Sequence, residues 1–240
     1  MIIQEVIDHL EALAPQAYAE DFDNTGLLVG NSQNKLTGVL VTLDTLEVII
    51  DEAVKNNCNL VVSFHPIIFN GLKKLTGKNY VERTILKAIK NDISIYAIHT
   101  ALDNARHGVN NIICEQLGLN NRKILIPQLQ TIKKLTTYAP TSEAHALRQV
   151  LFDVGAGNIG NYDECSFSVE GTGTYKGNAE SNPVKGTKLK QHQEPETQIS
   201  ITYAKHLESL VLKTLFKNHS YEEVAYEVVT LENTNQHIGM

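Results

Sequence analysis

The segment Leu60-Val61-Val62-Ser63-Phe64-His65-Pro66 decides the fold class, because a short apolar run ends abruptly in polar residues. The stretch from Ile93 to Thr100 repeats the pattern, with an apolar run that leads into His99. Short runs without polar alternation are typical of strands that are buried on both faces. Helical patterns lie between such runs, so the sequence predicts an α/β (α+β) chain whose mixed sheet carries helices on both faces.

Further elements flank these two segments. Apolar residues at helical spacing predict one helix from Ile3 to Leu13 and another from about Tyr80 to Lys90, whereas Leu27–Gly30 and Gly38–Leu43 are typical of strands. Asp44 and Glu47 have the three-residue offset of a capping box, which predicts that Asp44 caps a helix running through Val54.

The character of the chain changes after about residue 122, and residues 123–127 close the first region. The pattern there predicts strands over residues 132–138, 198–203 and 224–231 and helices over about 140–154 and 206–216. A segment rich in Gly, Ser and Asn, from Gly155 to about Pro195, is interpreted as a long hairpin or loop. We therefore predict two domains, residues 1–127 and residues 128–240, the second a small α+β unit.

Composition narrows the class of protein. The 240 residues include 21 Lys and Arg and 27 Asp and Glu, for a net charge of -6, so a general nucleic-acid binder is disfavoured. No apolar run approaches the roughly 18 residues of a membrane span. The start of the chain lacks the features of a secretory signal, and the three cysteines are far apart without a CxxC pair. These features favour a cytoplasmic protein without a disulfide framework.

Polar residues follow the two central strands and form the candidate site. His65 follows the first strand, and His99 and Asp103 follow the second. Ligands of open α/β sheets bind beside the carboxyl ends of strands, and imidazole with carboxylate suits a divalent cation. The alternative, that these histidines are hydrogen-bonded residues with a structural role, stays open at this point. His107 continues an i, i+4, i+8 series, but Asp103, Asn104 and Gly108 indicate a loop and Arg106 disfavours a cation there.

Two other patterns are interpreted as structural. Residues 155–160 fit GxGxxG, but they follow a predicted helix, whereas a dinucleotide loop follows a strand and opens a helix. Their glycines are better explained by a helix C-cap and a tight turn. His219 and Glu223 are four residues apart but lie between a predicted helix and a predicted strand, so the pair need not converge on a metal.

The sequence resembles the NIF-three-like proteins (Ngg-interacting factor three), also called GTP cyclohydrolase I type 2 homologues. The motifs that carry the resemblance are Phe22-Asp23-Asn24-Thr25-Gly26-Leu27, Ser63-Phe64-His65-Pro66-Ile67-Ile68-Phe69 and His99-Thr100-Ala101-Leu102-Asp103. The remainder resembles the PII-like or CutA-like insertion of longer family members. Its matching motifs are residues 155–162, 170–175 and 219–226.

The resemblance implies a divalent metal site, with zinc, iron or manganese, in a toroidal homohexamer. By position, His65 and Asp103 match metal ligands, whereas Phe64 stands where the family has a first histidine. His99, Asp23 and Asn24 are expected to support the ligands, to handle protons or to line the pocket. The remaining ligands belong to a second core half that is expected to begin where Ile238-Gly239-Met240 end this sequence. We therefore expect at most one weakly held cation, with Phe64 packed inward under the sheet.

Two functions follow from these expectations. The first is a metal-dependent hydrolase of the cyclohydrolase or phosphohydrolase type, which acts on a nucleotide or phosphoester. The second is a non-catalytic metal-binding scaffold or regulatory protein whose PII-like domain senses a small ligand. Neither the substrate nor a catalytic residue is identified by the sequence.

Overall fold

The computed structural model describes residues 1–235 and 237–240. The chain forms two compact units, one of residues 1–128 with 237–240 and the other of Leu129–Asn235. Ile238 and Gly239 join the first unit through isolated β-bridges to Ala105 and Pro127. No helix in the described part of the chain is both long enough and apolar enough to cross a membrane.

The first unit is a four-stranded mixed sheet flanked by helices. Its elements in chain order are α1 (Ile3–Leu13), β1 (Gly26–Val29), β2 (Val39–Thr42), α2 (Glu47–Lys55), β3 (Leu60–Ser63), α3 (Tyr80–Lys90), β4 (Ser94–Ala97), α4 (His99–Asp103) and α5 (Val109–Gln116). The strand order is β1-β4-β3-β2. Strands β2, β3 and β4 are parallel, and β1 is antiparallel to β4.

The central strands are mainly apolar, apart from the buried Ser63 and Ser94, because both of their faces are covered. Leu60 and Val62 pack with Ile3 of α1 on one face. Val61 packs with helices α2 and α3 on the other face, through residues such as Ile50 and Ile85. Alternate residues of a strand point to opposite faces, so a strand between two helical layers has no solvent-facing positions and is mainly apolar. The predicted mixed sheet with helices on both faces is confirmed.

The second unit is an antiparallel sheet covered by two helices. It consists of β5 (Ile132–Pro140), α6 (Ala144–Asp153), β6 (Ser166–Lys176), β7 (Gln191–Ala204), α7 (Glu208–Asn218) and β8 (Tyr226–Thr230). The strand order is β6-β7-β5-β8, and every pairing is antiparallel. Leu135, Ile199 and Ile201 of the sheet share a buried core with Leu151 and Leu215 of the helices. The α+β class is confirmed, and the likeness to PII-like or CutA-like units stays a prediction.

The glycine-rich segment forms a hairpin rather than a loop. All 11 residues of β6 pair with β7, from Ser166 opposite Ile201 to Lys176 opposite Gln191. Strand β7 is therefore longer than the predicted residues 198–203, a difference that corrects the sequence interpretation. The pairing is stabilised by backbone hydrogen bonds, and much of the far half of the hairpin is exposed, so it carries no apolar pattern.

The glycines that follow α6 end the helix, as predicted. Gly155 has φ +90°, its N–H donates to the carbonyl of Phe152, and the N–H of Ala156 donates to the carbonyl of Leu151. This pair of bonds is the Schellman pattern, which requires a residue in the left-handed region. Gly157 also has positive φ, at +84°, and so the GxGxxG match is a capped turn.

Candidate functional site

The topology of the first sheet brings the predicted site residues to one edge. The parallel strands β2, β3 and β4 end there, and antiparallel β1 begins there, with Gly26 opposite Ala97. Residues that follow three strands therefore meet residues that precede the fourth. The residues in question are Asp44 after β2, His65 after β3, His99 after β4, and Asp23 and Asn24 before β1.

Backbone hydrogen bonds continue the sheet into the site and fix both histidines. The N–H of His65 donates to the carbonyl of Leu43, and the N–H of His99 donates to the carbonyl of Phe64, each at 3.0 Å. The two imidazole rings lie 5.4 Å apart between centroids, at 76° to each other. His99 has φ +28°, a conformation that non-glycine residues adopt at a cost and that is common at functional sites.

His99 is held by a buried carboxylate. Its Nδ1 lies 2.9 Å from Oδ1 of Asp23, whose side chain is 0% exposed. Asp23 also accepts hydrogen bonds from the N–H of Asn24 at 2.8 Å and from the N–H and hydroxyl of Thr100 at 3.2 and 2.5 Å. Burial alone would raise the pKa of Asp23, but the hydrogen bonds from His99, Thr100 and Asn24 outweigh it and lower the pKa. Asp23 is therefore a fixed carboxylate that orients the ring of His99.

Asn24 connects two segments of the chain at this edge. Its side-chain amide donates to the carbonyl of Ile68 at 2.5 Å, which ties the start of β1 to the loop after His65. The amide nitrogen is thereby occupied within the protein.

His65 forms a similar pair with Asp44, but in the open. Its Nδ1 lies 2.8 Å from Oδ1 of Asp44, and the two side chains are 46% and 56% exposed. The prediction that Asp44 caps α2 is wrong, because the N-cap residue is Leu46 and no side chain caps the helix. Asp44 belongs to the site instead. The strand-end rule that selected His65 and His99 would have found it, since it lies two residues beyond β2.

Asp103 ends the short helix α4, so the interpretation of this residue as part of a loop is wrong. His99 and Asp103 occupy the first and last positions of that helix, and His107 is exposed in the following turn. Burial raises the pKa of Asp103, and the charge of Asp23 adds to this rise, while the interactions with His99 and His65 offset it in part. The carboxylate is thus close enough to both histidines to interact with them, and no hydrogen bond from the described residues engages it.

Phe64 lies beside both histidines of the site. Its ring lies 5.0 Å from that of His65 and 5.4 Å from that of His99, between centroids. The side chain packs against the buried cluster on the α1 face, as predicted, and it contributes no donor atom.

The chemistry of these donors suits a divalent cation, but their number is small. Both histidines have Nδ1 bound to a carboxylate, the arrangement that commonly supports a metal-ligating Nε2. Asp103 adds a carboxylate without a hydrogen-bond partner among the described residues. Nevertheless, residues 1–235 and 237–240 contain no group of three or more His, Cys, Asp or Glu side chains placed to hold a metal ion.

His219 and Glu223 do not form a second site. Nε2 of His219 donates to the carbonyl of Tyr138 at 2.9 Å, and Nδ1 accepts the N–H of Tyr221 at 3.0 Å. Both ring nitrogens are therefore occupied by the backbone, and the pair lies in the connection between α7 and β8. The structural interpretation of His219 is confirmed.

Comparisons with known proteins agree with the motifs at the sheet edge. A family model for Duf34/NIF3 (NGG1p interacting factor 3) matches residues 1–181. The chain is 37% identical to the GTP cyclohydrolase 1 type 2 homolog of Bacillus subtilis and 35% identical to that of Halalkalibacterium halodurans, each over 238 residues. These alignments cover 99% of this chain and 64% of each relative, so the chain spans less than two thirds of their length.

Solved structures also match the chain over its whole length. A Bacillus cereus protein related to NIF3 has a TM-score of 0.78 at 37% identity, with 64% of its own length covered. Staphylococcus aureus protein SA1388 has a TM-score of 0.64 at 28% identity, with 62% of its length covered. With a family model that matches most of the chain and a fold shared over its full length, this protein belongs to the Duf34/NIF3 family.

Proposed function

We propose that this chain carries the site of a metal-dependent hydrolase that acts on a nucleotide or phosphoester. The observation that carries the proposal is the meeting of two carboxylate-bound histidines, 5.4 Å apart, at the carboxyl ends of β3 and β4. The relatives' name, GTP cyclohydrolase 1 type 2 homolog, points to the same broad class of substrate.

In this proposal, His65 and Asp103 hold a divalent zinc, iron or manganese ion. Such an ion would supply a Lewis acid that polarises a phosphoryl or ring carbon centre. Asp23 fixes the ring of His99 through Nδ1, so that Nε2 is left to exchange a proton with a bound substrate. Asp44 holds His65 in the same way but from an exposed position.

The test is turnover by the purified protein after it has been loaded with zinc, manganese or iron. Nucleoside triphosphates and aryl phosphate esters are the substrates, and the variant is His65→Ala. We expect the loss of activity to exceed the 10- to 100-fold cost that is typical of residues that only support a ligand. His107→Ala, in the exposed turn after α4, is the matched control and should retain activity. Equal activity of wild type and His65→Ala would remove the proposal.

The second candidate is a metal-binding scaffold or regulatory protein without catalysis. Phe64 in place of a ligand, together with the lack of a three-ligand group among the described residues, favours it. Elemental analysis of the purified protein is the first step, since both candidates bind metal. A turnover well above background, lost in His65→Ala, would count against this alternative.

We also propose that the chain assembles as a homo-oligomer, a hexamer by family resemblance. Strand β2 lies at the edge of its sheet, and Val39 and Val41 of the strand and Leu43 directly after it are exposed by 38%, 76% and 60%. These residues alternate on one face, and an exposed apolar sheet edge is a surface that a second copy would cover. Light scattering should give a mass above that of one chain, and a monodisperse monomer at micromolar concentration would contradict assembly.

The three free cysteines suit a reducing cytoplasm.

A further inference from the structure

The second unit contains a cavity that the strand-end site does not involve. Its volume is about 300 Å³, and it lies between the far part of the β6–β7 hairpin and the connection from α7 to β8. Most of the wall is apolar or aromatic. The residues that matter here are Tyr138, Tyr175, Tyr221, Pro183, Val184 and Glu196.

Tyrosine rings form part of the wall, and the hairpin loop is fastened beside them. The rings of Tyr175 and Tyr221 lie 5.9 Å apart between centroids, at 64° to each other. The hydroxyl of Tyr175 donates to the carbonyl of Lys185 at 2.9 Å, and the N–H of Asn182 donates to the carboxylate of Glu222 at 2.7 Å. The loop that carries Pro183 and Val184 is therefore held at both sides, so the cavity is preformed.

The charge at this cavity is negative. The residues that line the cavity include three carboxylates, Glu196, Glu222 and Glu223, but one cation, Lys176. The nearby Lys185 is neutralised by Glu194, which also lies 3.1 Å from Nε2 of His192. An uncompensated carboxylate beside an apolar wall attracts a cation.

Glu196 is a lining carboxylate without a cationic partner among the described residues. Its Oε1 accepts the hydroxyl of Tyr221 at 2.8 Å, and no Lys, Arg or His of the described residues forms an ion pair with it. Its Oε2 lies over Gly173, where an added Cβ would approach to 2.0 Å. Because Gly173 has no side chain, Oε2 of Glu196 has room there, and the hydroxyl of Tyr221 holds Oε1.

We propose that this cavity binds a small organic cation of the alkylammonium class. Tyrosine faces attract a desolvated ammonium group through their quadrupole, and Glu196 supplies the opposite charge. Pro183 and Val184 would contact the alkyl part of the ligand. A volume near 300 Å³ is at the small end of ligand cavities, so the ligand is small. The inference is independent of the hydrolase proposal, because it uses only the second unit, and it would give the regulatory alternative a ligand class.

The first test separates charge from shape. Choline is titrated into the full chain beside dimethylbutanol, its uncharged carbon isostere, with intrinsic tyrosine fluorescence as the signal because the sequence has nine Tyr and no Trp. We expect choline to bind about tenfold more tightly than the isostere, in line with a desolvated cation–π contact. Equal affinity of the two probes, or saturation by neither, would overturn the proposal.

The second test uses two matched glycines of β6. Gly173→Ala should push the carboxylate of Glu196 aside and weaken choline binding about tenfold. Gly171→Ala is the control, because an added Cβ there meets no atom within 4 Å. Thermal melting should show both variants folded, since Gly173→Ala displaces only the end of a flexible side chain. Glu196→Gln should reproduce the loss in binding, and equal binding by the wild type and all three variants would contradict the assignment.

Discussion

The inner and outer parts of the strand-end site use the same chemistry in different surroundings. At the inner part, Asp23 binds His99 with a side chain that is 0% exposed. At the outer part, Asp44 binds His65 with side chains that are 56% and 46% exposed. Burial makes the inner contact part of the fold, whereas exposure leaves the outer contact exchangeable at little cost. The outer histidine is therefore suited to bind a ligand and the inner one to be held in place.

The difference in burial predicts that substitution of the inner carboxylate, Asp23, lowers stability more than any other substitution at this site. Asp23→Asn loses charge-assisted hydrogen bonds from His99 and Thr100, and it should lower the free energy of unfolding by about 2 kcal/mol, measured by urea denaturation. Asp21→Asn is the control, because Asp21 is exposed two residues away, and it should stay within about 0.5 kcal/mol of wild type.

The pH dependence of that effect has a defined sign. The pKa of Asp23 lies below its ordinary value of 3.8 in the folded chain, so its contribution to stability is complete above pH 3.8. The contribution is lost as the pH falls through the lower, folded pKa. If wild type and Asp23→Asn have the same free energy of unfolding at neutral pH, the distinction between the inner and outer parts is wrong.

A smaller effect of opposite sign is expected at Asp103. Burial raises the pKa of this carboxyl, so its charge destabilises the metal-free fold at neutral pH. Asp103→Asn should raise the Tm of EDTA-treated protein by about 1–2 °C at neutral pH, the shift produced by a fraction of a kcal/mol. The gain should shrink as the pH falls through the raised, folded pKa and disappear below the ordinary value of 3.8, where both states bind the proton. A gain that persists unchanged in acid would show that charge is not its cause.

The smallest effect is expected at the outer carboxylate. Asp44→Asn alters an exposed contact with His65, and even a fully charged pair in an exposed position contributes only about 0–1 kcal/mol. Thermal unfolding should therefore place this variant within about 2 °C of wild type. A loss as large as that of Asp23→Asn would show that the outer pair is part of the fold after all.

The sequence predicts the first unit well because the positions of its site residues follow from the arrangement of its strands. Buried parallel strands are recognisable as apolar runs, and the residue after each run is carried to the same edge. His65 and His99 were found by that logic and Asp23 through the family resemblance, and the structure brings all three together. Asp44 was missed because its offset to Glu47 imitates a helix cap, a local pattern that tertiary contact with His65 overrides.

The second unit was harder to predict because its pocket depends on pairing register. Tyr175 and Glu196 belong to the far part of a hairpin that is stabilised by backbone pairing with little apolar burial. Tyr221 lies some 25 positions along the chain from its partner Glu196, on a connection without regular structure. No short sequence motif unites these residues, and only the antiparallel register places them around one cavity.

Calorimetric titration of zinc or manganese into EDTA-treated protein tests the central claim most directly. We expect one weakly bound cation per chain, because stable zinc sites normally use three or four protein ligands and this edge supplies His65 and Asp103. His65→Ala and Asp103→Ala should abolish the binding, and His107→Ala should preserve it. Unchanged binding in His65→Ala, or two tightly bound cations per chain in the wild type, would contradict the account.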